Sequence, residues 1–270
     1  IRFFKFTKLP QLIVSFLLSI AIMLILKIDE FSFDILYSSI LIIFIFLLSI
    51  FIISKNSILK NNQYTTLGLI IFSGFIYKTQ LNSFTILSYL TLLLSIRKIY
   101  SLKTPKKTNK KLFDIGFWFS LSTILNPFNF IFLATIFFGI YAFYKLDLKT
   151  ILQFFAGYIS TLLIAILFTS LSSGFSFNSV YLVETLESFI LEFHKCYECP
   201  NLAFPQILFP SISLLVFLLY LFKYFGNNLH ERLKNSFLLI FYLNSILMIF
   251  IMEDYTIFLF FPFLVTLIRI

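Results

Sequence analysis

Residues 83–111 read SFTILSYLTLLLSIRKIYSLKTPKKTNKK. An apolar stretch, Ser83–Ile96, runs into Arg97 and Lys98 and then into Lys103, Lys106, Lys107, Lys110 and Lys111. Apolar sequence lies on both sides, as Thr65–Tyr77 before it and as Leu112–Leu125 and Phe128–Tyr144 after it. The fold depends on whether Thr65–Ile96 and Leu112–Tyr144 are each one long kinked helix or a hairpin of two short ones. Basic residues beside membrane helices collect on the cytoplasmic side, so their distribution decides between the readings.

A membrane helix needs about 20 mostly apolar residues. Ten apolar stretches can be read, several of them shorter than this: Gln11–Leu26, Ile35–Ser54, Thr65–Tyr77, Ser83–Ile96, Leu112–Leu125, Phe128–Tyr144, Ile151–Leu171, Ile207–Phe222, Ser236–Met252 and Thr256–Ile268. With ten spans and a cytoplasmic N-terminus, all of the 21 Lys and Arg except Lys27, Lys78 and Lys195 fall inside. Of the 12 acids, all but Asp114, Asp147 and Glu231 fall outside. Merging either pair of stretches flips every later loop and destroys this sorting. The sequence therefore predicts an all-α, polytopic membrane protein of about ten transmembrane helices with both termini cytoplasmic. It forms one integral membrane domain: a core over 1–171, an outer loop over 172–206 and C-terminal spans over 207–270.

Composition agrees. Apolar residues make up 60% of the 270 and charged residues 12%, against about 25% charged in soluble domains. Mean hydropathy is +0.98. These values exclude a soluble globular domain, a disordered chain and a disulfide-rich secreted module. The 40 Phe belong with abundant Ile, Lys, Asn and Tyr, the set that AT-rich codons encode, and are read as packing or lipid-facing side chains. The net charge of +9 sits in short loops beside spans, which points to an anionic leaflet and not to nucleic acid. The first span is too long for a signal-peptide core and no small-residue cleavage site follows it, so no cleavable leader is expected. No P-loop, GxGxxG or GxxxG occurs, and no charge lies at mid-span, which counts against an ion pump or a secondary transporter.

Candidate chemistry gathers on the outer side. The hairpin tips are Lys78-Thr79-Gln80-Leu81-Asn82 and Asn126-Pro127-Phe128-Asn129. Their helices are too short to cross a core of about 30 Å, so the tips are expected to line a wet recess. The first outer loop carries Asp29, Glu30 and Asp34. Within the long outer loop, Asn178–Phe193 has apolar residues at three- and four-residue steps, the pattern of an amphipathic helix lying flat on the outer interface. Cys196 and Cys199, in His194-Lys195-Cys196-Tyr197-Glu198-Cys199-Pro200, fall on the oxidising side. A small-loop disulfide, free thiols, a zinc site with His194 and a redox pair are the alternatives. His230 is expected in an inner loop.

The order of features resembles the GT-C superfamily, the membrane glycosyltransferases that use polyprenyl-phosphate sugars. Asn61–Tyr100 and then Lys110–Tyr144 carry the cadence: polar start, short hairpin, Arg-Lys inner loop, and Gly116-Phe117-Trp118 opening the next hairpin. The layout is also similar to an uncharacterised family of bacterial polytopic inner-membrane proteins. The GT-C resemblance implies sugar transfer from a polyprenyl-phosphate donor at the outer face of the bacterial inner membrane. Asp29 or Glu30 would be base or ligand of a divalent metal, Asp34 a helper, and Lys78 the cation for the lipid phosphate. The competing readings are that the acids merely end a span, that Lys78 is an interfacial lysine, and that the chain is a non-catalytic subunit or scaffold of a cell-envelope complex. A lipid or small-molecule transporter is a third class.

Overall fold

The computed structural model describes residues 9–27, 33–55, 68, 70, 73, 82–172, 204–225, 229–251 and 256–269. Among them there is no strand, and nine α-helices form. These are α1 (Leu9–Lys27), α2 (Phe33–Lys55), α3 (Ser83–Ser101), α4 (Thr108–Leu125), α5 (Leu133–Phe143), α6 (Leu148–Ser172), α7 (Phe204–Phe225), α8 (Leu229–Ile251) and α9 (Phe260–Arg269). Short 3-10 helices, Pro127–Phe132 and Thr256–Leu259, lead into α5 and α9. Two helices contain segments long and apolar enough to cross a membrane, Ile35–Lys55 in α2 and Leu148–Phe168 in α6. The other apolar segments are shorter. Helix α8 starts upstream of its apolar stretch and takes in His230, so that residue is helical and not in a loop.

The sequence Leu125-Asn126-Pro127 ends α4. Proline has no N–H to donate and pushes the residue before it out of the helical region. Asn126 is accordingly extended, at φ −151° and ψ 103°. Its side-chain oxygen accepts from the Phe128 N–H at 3.2 Å, and Asn129 N–H donates to the Asn126 carbonyl at 3.1 Å. The chain then reverses. Phe143, which ends α5, lies beside Tyr100 at the end of α3, with ring centroids 5.0 Å apart. The Lys103 amine, in the turn that precedes α4, sits 5.6 Å from the Tyr100 ring and 5.4 Å from the Phe143 ring. Helix α4 thus leaves this end and α5 returns to it, so Leu112–Tyr144 is a hairpin.

Helix α6 crosses α4 through a backbone contact. A Cβ on Gly116 would stand 2.0 Å from the Phe154 carbonyl oxygen, and one on Gly157 would stand 2.1 Å from the Phe113 oxygen. Only glycine permits this approach on both sides. Polar links flank the crossing: Thr161 Oγ1 donates to the Phe117 carbonyl at 3.4 Å, and Thr123 Oγ1 and Tyr158 OH are 3.1 Å apart.

The core is aromatic. Phe132 stacks on Phe258 with centroids 5.5 Å apart, Tyr89 meets Phe258 edge-on at 4.9 Å, and Tyr89 OH accepts from the Phe261 N–H at 3.0 Å. Residues 257–266 are buried on every side, as a helix that is apolar all round should be. Helix α6 is the opposite case. Beyond its α4-facing stripe it exposes Leu152, Ile159, Leu163, Ile164, Leu167 and Phe168, the last at 74%.

Candidate functional site

One end of the bundle is basic. The Arg97 guanidinium lies 4.7 Å from the Phe51 ring centroid and Lys55 lies 5.1 Å from it, so α2 and α3 finish side by side. Lys98 Nζ pairs with Asp114 at 2.6 Å. The Lys111 amine folds back on the connecting turn and donates to the Ser101 carbonyl at 2.6 Å, the Thr104 carbonyl at 2.8 Å and Thr104 Oγ1 at 2.7 Å. Burial and the nearby Lys98 charge push the Lys111 amine below its usual range. Lys145, which follows the return helix, pairs with Asp147, and that carboxylate raises its pKa. Helix α8 begins at the same end, since Phe237 packs on Tyr100 and Phe143. The sequence-predicted sorting of Lys55, Arg97 to Lys111, Lys145 and Lys149 onto one side is therefore a property of the folded bundle.

The opposite end of the bundle holds the start of α3. Asn82 caps α3, its Oδ1 accepting from Phe84 N–H at 3.1 Å. Because α2 and α3 run in parallel, the start of α2, where Asp34 occupies the second helical position, lies at this end too. The second hairpin tip sits deeper. Ser122, one turn before the reversal, donates to the Ser88 carbonyl at 2.8 Å, well inside α3. Asn129 Nδ2 donates to Ser122 Oγ at 2.7 Å and to the Ser122 carbonyl at 3.2 Å. Asn244 of α8 ties in below, donating to Thr135 Oγ1 at 2.7 Å and to the Ile131 carbonyl at 3.2 Å.

This corrects the expectation of an open recess at the second tip. Asn126 and Asn129 are 5% and 0% exposed, respectively. They close the hairpin from within, the usual use of Asn and Ser between apolar helices. Asn126 Nδ2 and Asn129 Oδ1 remain without a protein partner, an arrangement a buried water commonly completes.

Of the sequence-derived candidates, only Asp34 falls among the described residues, placed by its backbone. Asp29, Glu30, Lys78, Cys196 and Cys199 lie outside them, as do His194, the first hairpin tip up to Leu81 and the 178–193 segment. Among the described residues no three His, Cys, Asp or Glu side chains converge on a point where a metal ion would sit. The sequence marks Gly116 only as part of the stretch that opens a hairpin and does not single out Gly157; neither is legible there as a helix-contact glycine. Their signal was a small residue four positions on, Ser120 and Thr161, a looser form of the GxxxG pattern. No family model matches the chain, and no curated protein or solved structure is significantly similar to it.

Proposed function

We propose that the chain is a multi-pass protein of the bacterial inner membrane, with ten spans and the basic end in the cytoplasm, and that its outer end transfers a sugar from a polyprenyl-phosphate donor. The observation that carries the membrane reading is the bare apolar face of α6. In water each of its large side chains would forgo roughly 1.5–3 kcal/mol of burial, whereas lipid removes that cost. The basic end fits the same orientation. Support for the transfer reading is the hairpin that follows the Arg-Lys turn, together with the start of α2 at the end away from the positive charge.

In this reading Asp29 or Glu30 takes the proton of the acceptor hydroxyl as its oxygen bonds to the anomeric carbon. The bond from that carbon to the phosphate oxygen breaks, and the polyprenyl phosphate leaves with its added charge met by Lys78. The test is mass spectrometry of co-purified lipid, together with Asp29→Asn and Glu30→Gln variants in a deletion strain. Retention of a polyprenyl phosphate and loss of complementation are expected. Absence of that lipid with full complementation by both variants overturns the transfer reading. The second reading, a non-catalytic subunit of an envelope complex, is favoured by the closed second tip, whose asparagines are buried and hydrogen-bonded within the hairpin.

A further inference from the structure

The acids nearest the basic end are already taken. Asp114 is held by Lys98 and Asp147 by Lys145. Lys106, Lys107, Lys110 and Lys149 stand exposed and have no acid partner among the described residues. The turn that carries Lys106 and Lys107 is tied to Lys111 by three hydrogen bonds, and Lys110 follows in the first turn of α4, so their charges are presented from a fixed frame. Apolar side chains are interleaved with this charge. In Lys145-Leu146-Asp147-Leu148-Lys149, Leu146 is exposed and Leu148 is 76% exposed.

We infer that this end is a binding site for anionic phospholipid headgroups. Lys106, Lys107 and Lys110 meet the phosphates as compact point charges, while Leu146 and Leu148 enter the headgroup–acyl boundary beside them. The exposed leucines beside the lysines match the headgroup–acyl boundary of a bilayer, whereas a nucleic acid would leave them in water. The inference rests on the membrane-spanning reading and adds to it a lipid preference and the residues that set it. It is independent of the sugar-transfer chemistry.

The test uses the full chain purified in detergent, mixed with equal amounts of phosphatidylglycerol and phosphatidylcholine of the same acyl chains. Native mass spectrometry then reads the ratio of bound species. Because basic residues near a lipid surface attract anionic headgroups, the expected preference for phosphatidylglycerol is on the order of tenfold or more. The triple change Lys106→Gln, Lys107→Gln, Lys110→Gln should bring the ratio near parity. The corresponding triple change to Arg should keep it, and millimolar glycerol phosphate should not displace the lipid. Parity in the wild type, an unchanged ratio in the Gln triple, or equal loss in the Arg triple overturns the inference. Displacement by glycerol phosphate also overturns it, by pointing to a soluble phosphate ligand. Alkaline carbonate extraction separates the two levels. Release of the chain from membranes fails the membrane reading itself, whereas retention in membranes with parity in the lipid ratio fails only the lipid site.

Discussion

Helix α6 and the C-terminal element, Thr256–Leu259 with α9, are both strongly apolar, and their surroundings are opposite. Helix α6 has 25 residues, about 37 Å at the helical rise. It buries a stripe of Thr150, Phe154, Gly157 and Thr161 and leaves Leu152, Ile159, Leu163, Ile164, Leu167 and Phe168 exposed. The C-terminal element has 4 residues of 3-10 helix and 10 of α-helix, about 23 Å in all. Phe258, Phe260, Phe261 and Val265 are wholly enclosed. Apolar composition records only that a segment avoids water. Length and neighbours decide whether lipid or protein replaces the water.

The comparison can be broken at several strengths. The largest effect is expected where α6 does touch protein. Gly116→Leu drives a side chain into the Phe154 carbonyl and should cost more than about 4 kcal/mol, seen as loss of the monodisperse peak in detergent gel filtration. A folded Gly116→Leu protein would show that α4 and α6 are not in backbone contact. Next, Phe258→Ala empties a site between Phe132 and Tyr89 and should cost about 3–5 kcal/mol, read as a lowered thermal midpoint. A neutral result would mean that the C-terminal element is not core.

Leu163→Arg probes the bare face. If that face meets lipid, the charge should cost about 2.5–3.5 kcal/mol of insertion, measured as reduced membrane integration; equal integration would place α6 in water. Leu163→Ala at the same site should stay within about 0.5 kcal/mol. The smallest effect concerns the exposed Lys145–Asp147 pair just before α6. Its raised lysine pKa means that any stabilisation is fully present below the ordinary value of 10.5 and is lost as pH rises through the folded-state value. Lys145→Gln should therefore shift the thermal midpoint least of all at neutral pH, and not at all once the amine has lost its proton.

Several features were legible from residues alone. Each described helix overlaps one apolar stretch, with α3, α4 and α8 extending four to seven residues into polar sequence and α5 beginning five residues late behind its 3-10 turn, because apolar runs bounded by charge leave little choice of conformation. The break at Asn126-Pro127 was legible because proline acts locally. The gathering of the Arg97–Lys111 run at one end of the helices was legible because charge cannot be hidden cheaply. The inward turn of Asn129 was not, since the same Asn could have faced water or Ser122, and only the proximity of α3 and α4 decides. The Gly116–Gly157 crossing was hidden for a similar reason. Each glycine is ordinary within its own helix and acquires meaning from a partner 41 positions away.

The sequence by itself determined the helical class, the place of one reversal and the segregation of positive charge, because each follows from interactions within a few residues or with solvent. The tertiary structure alone decided which apolar helix is enclosed and which is bare, and that the polar tip of the second hairpin is closed. Burial is a relation between segments far apart in the chain, and the apolar pattern of a single segment is the same whether lipid or protein covers it.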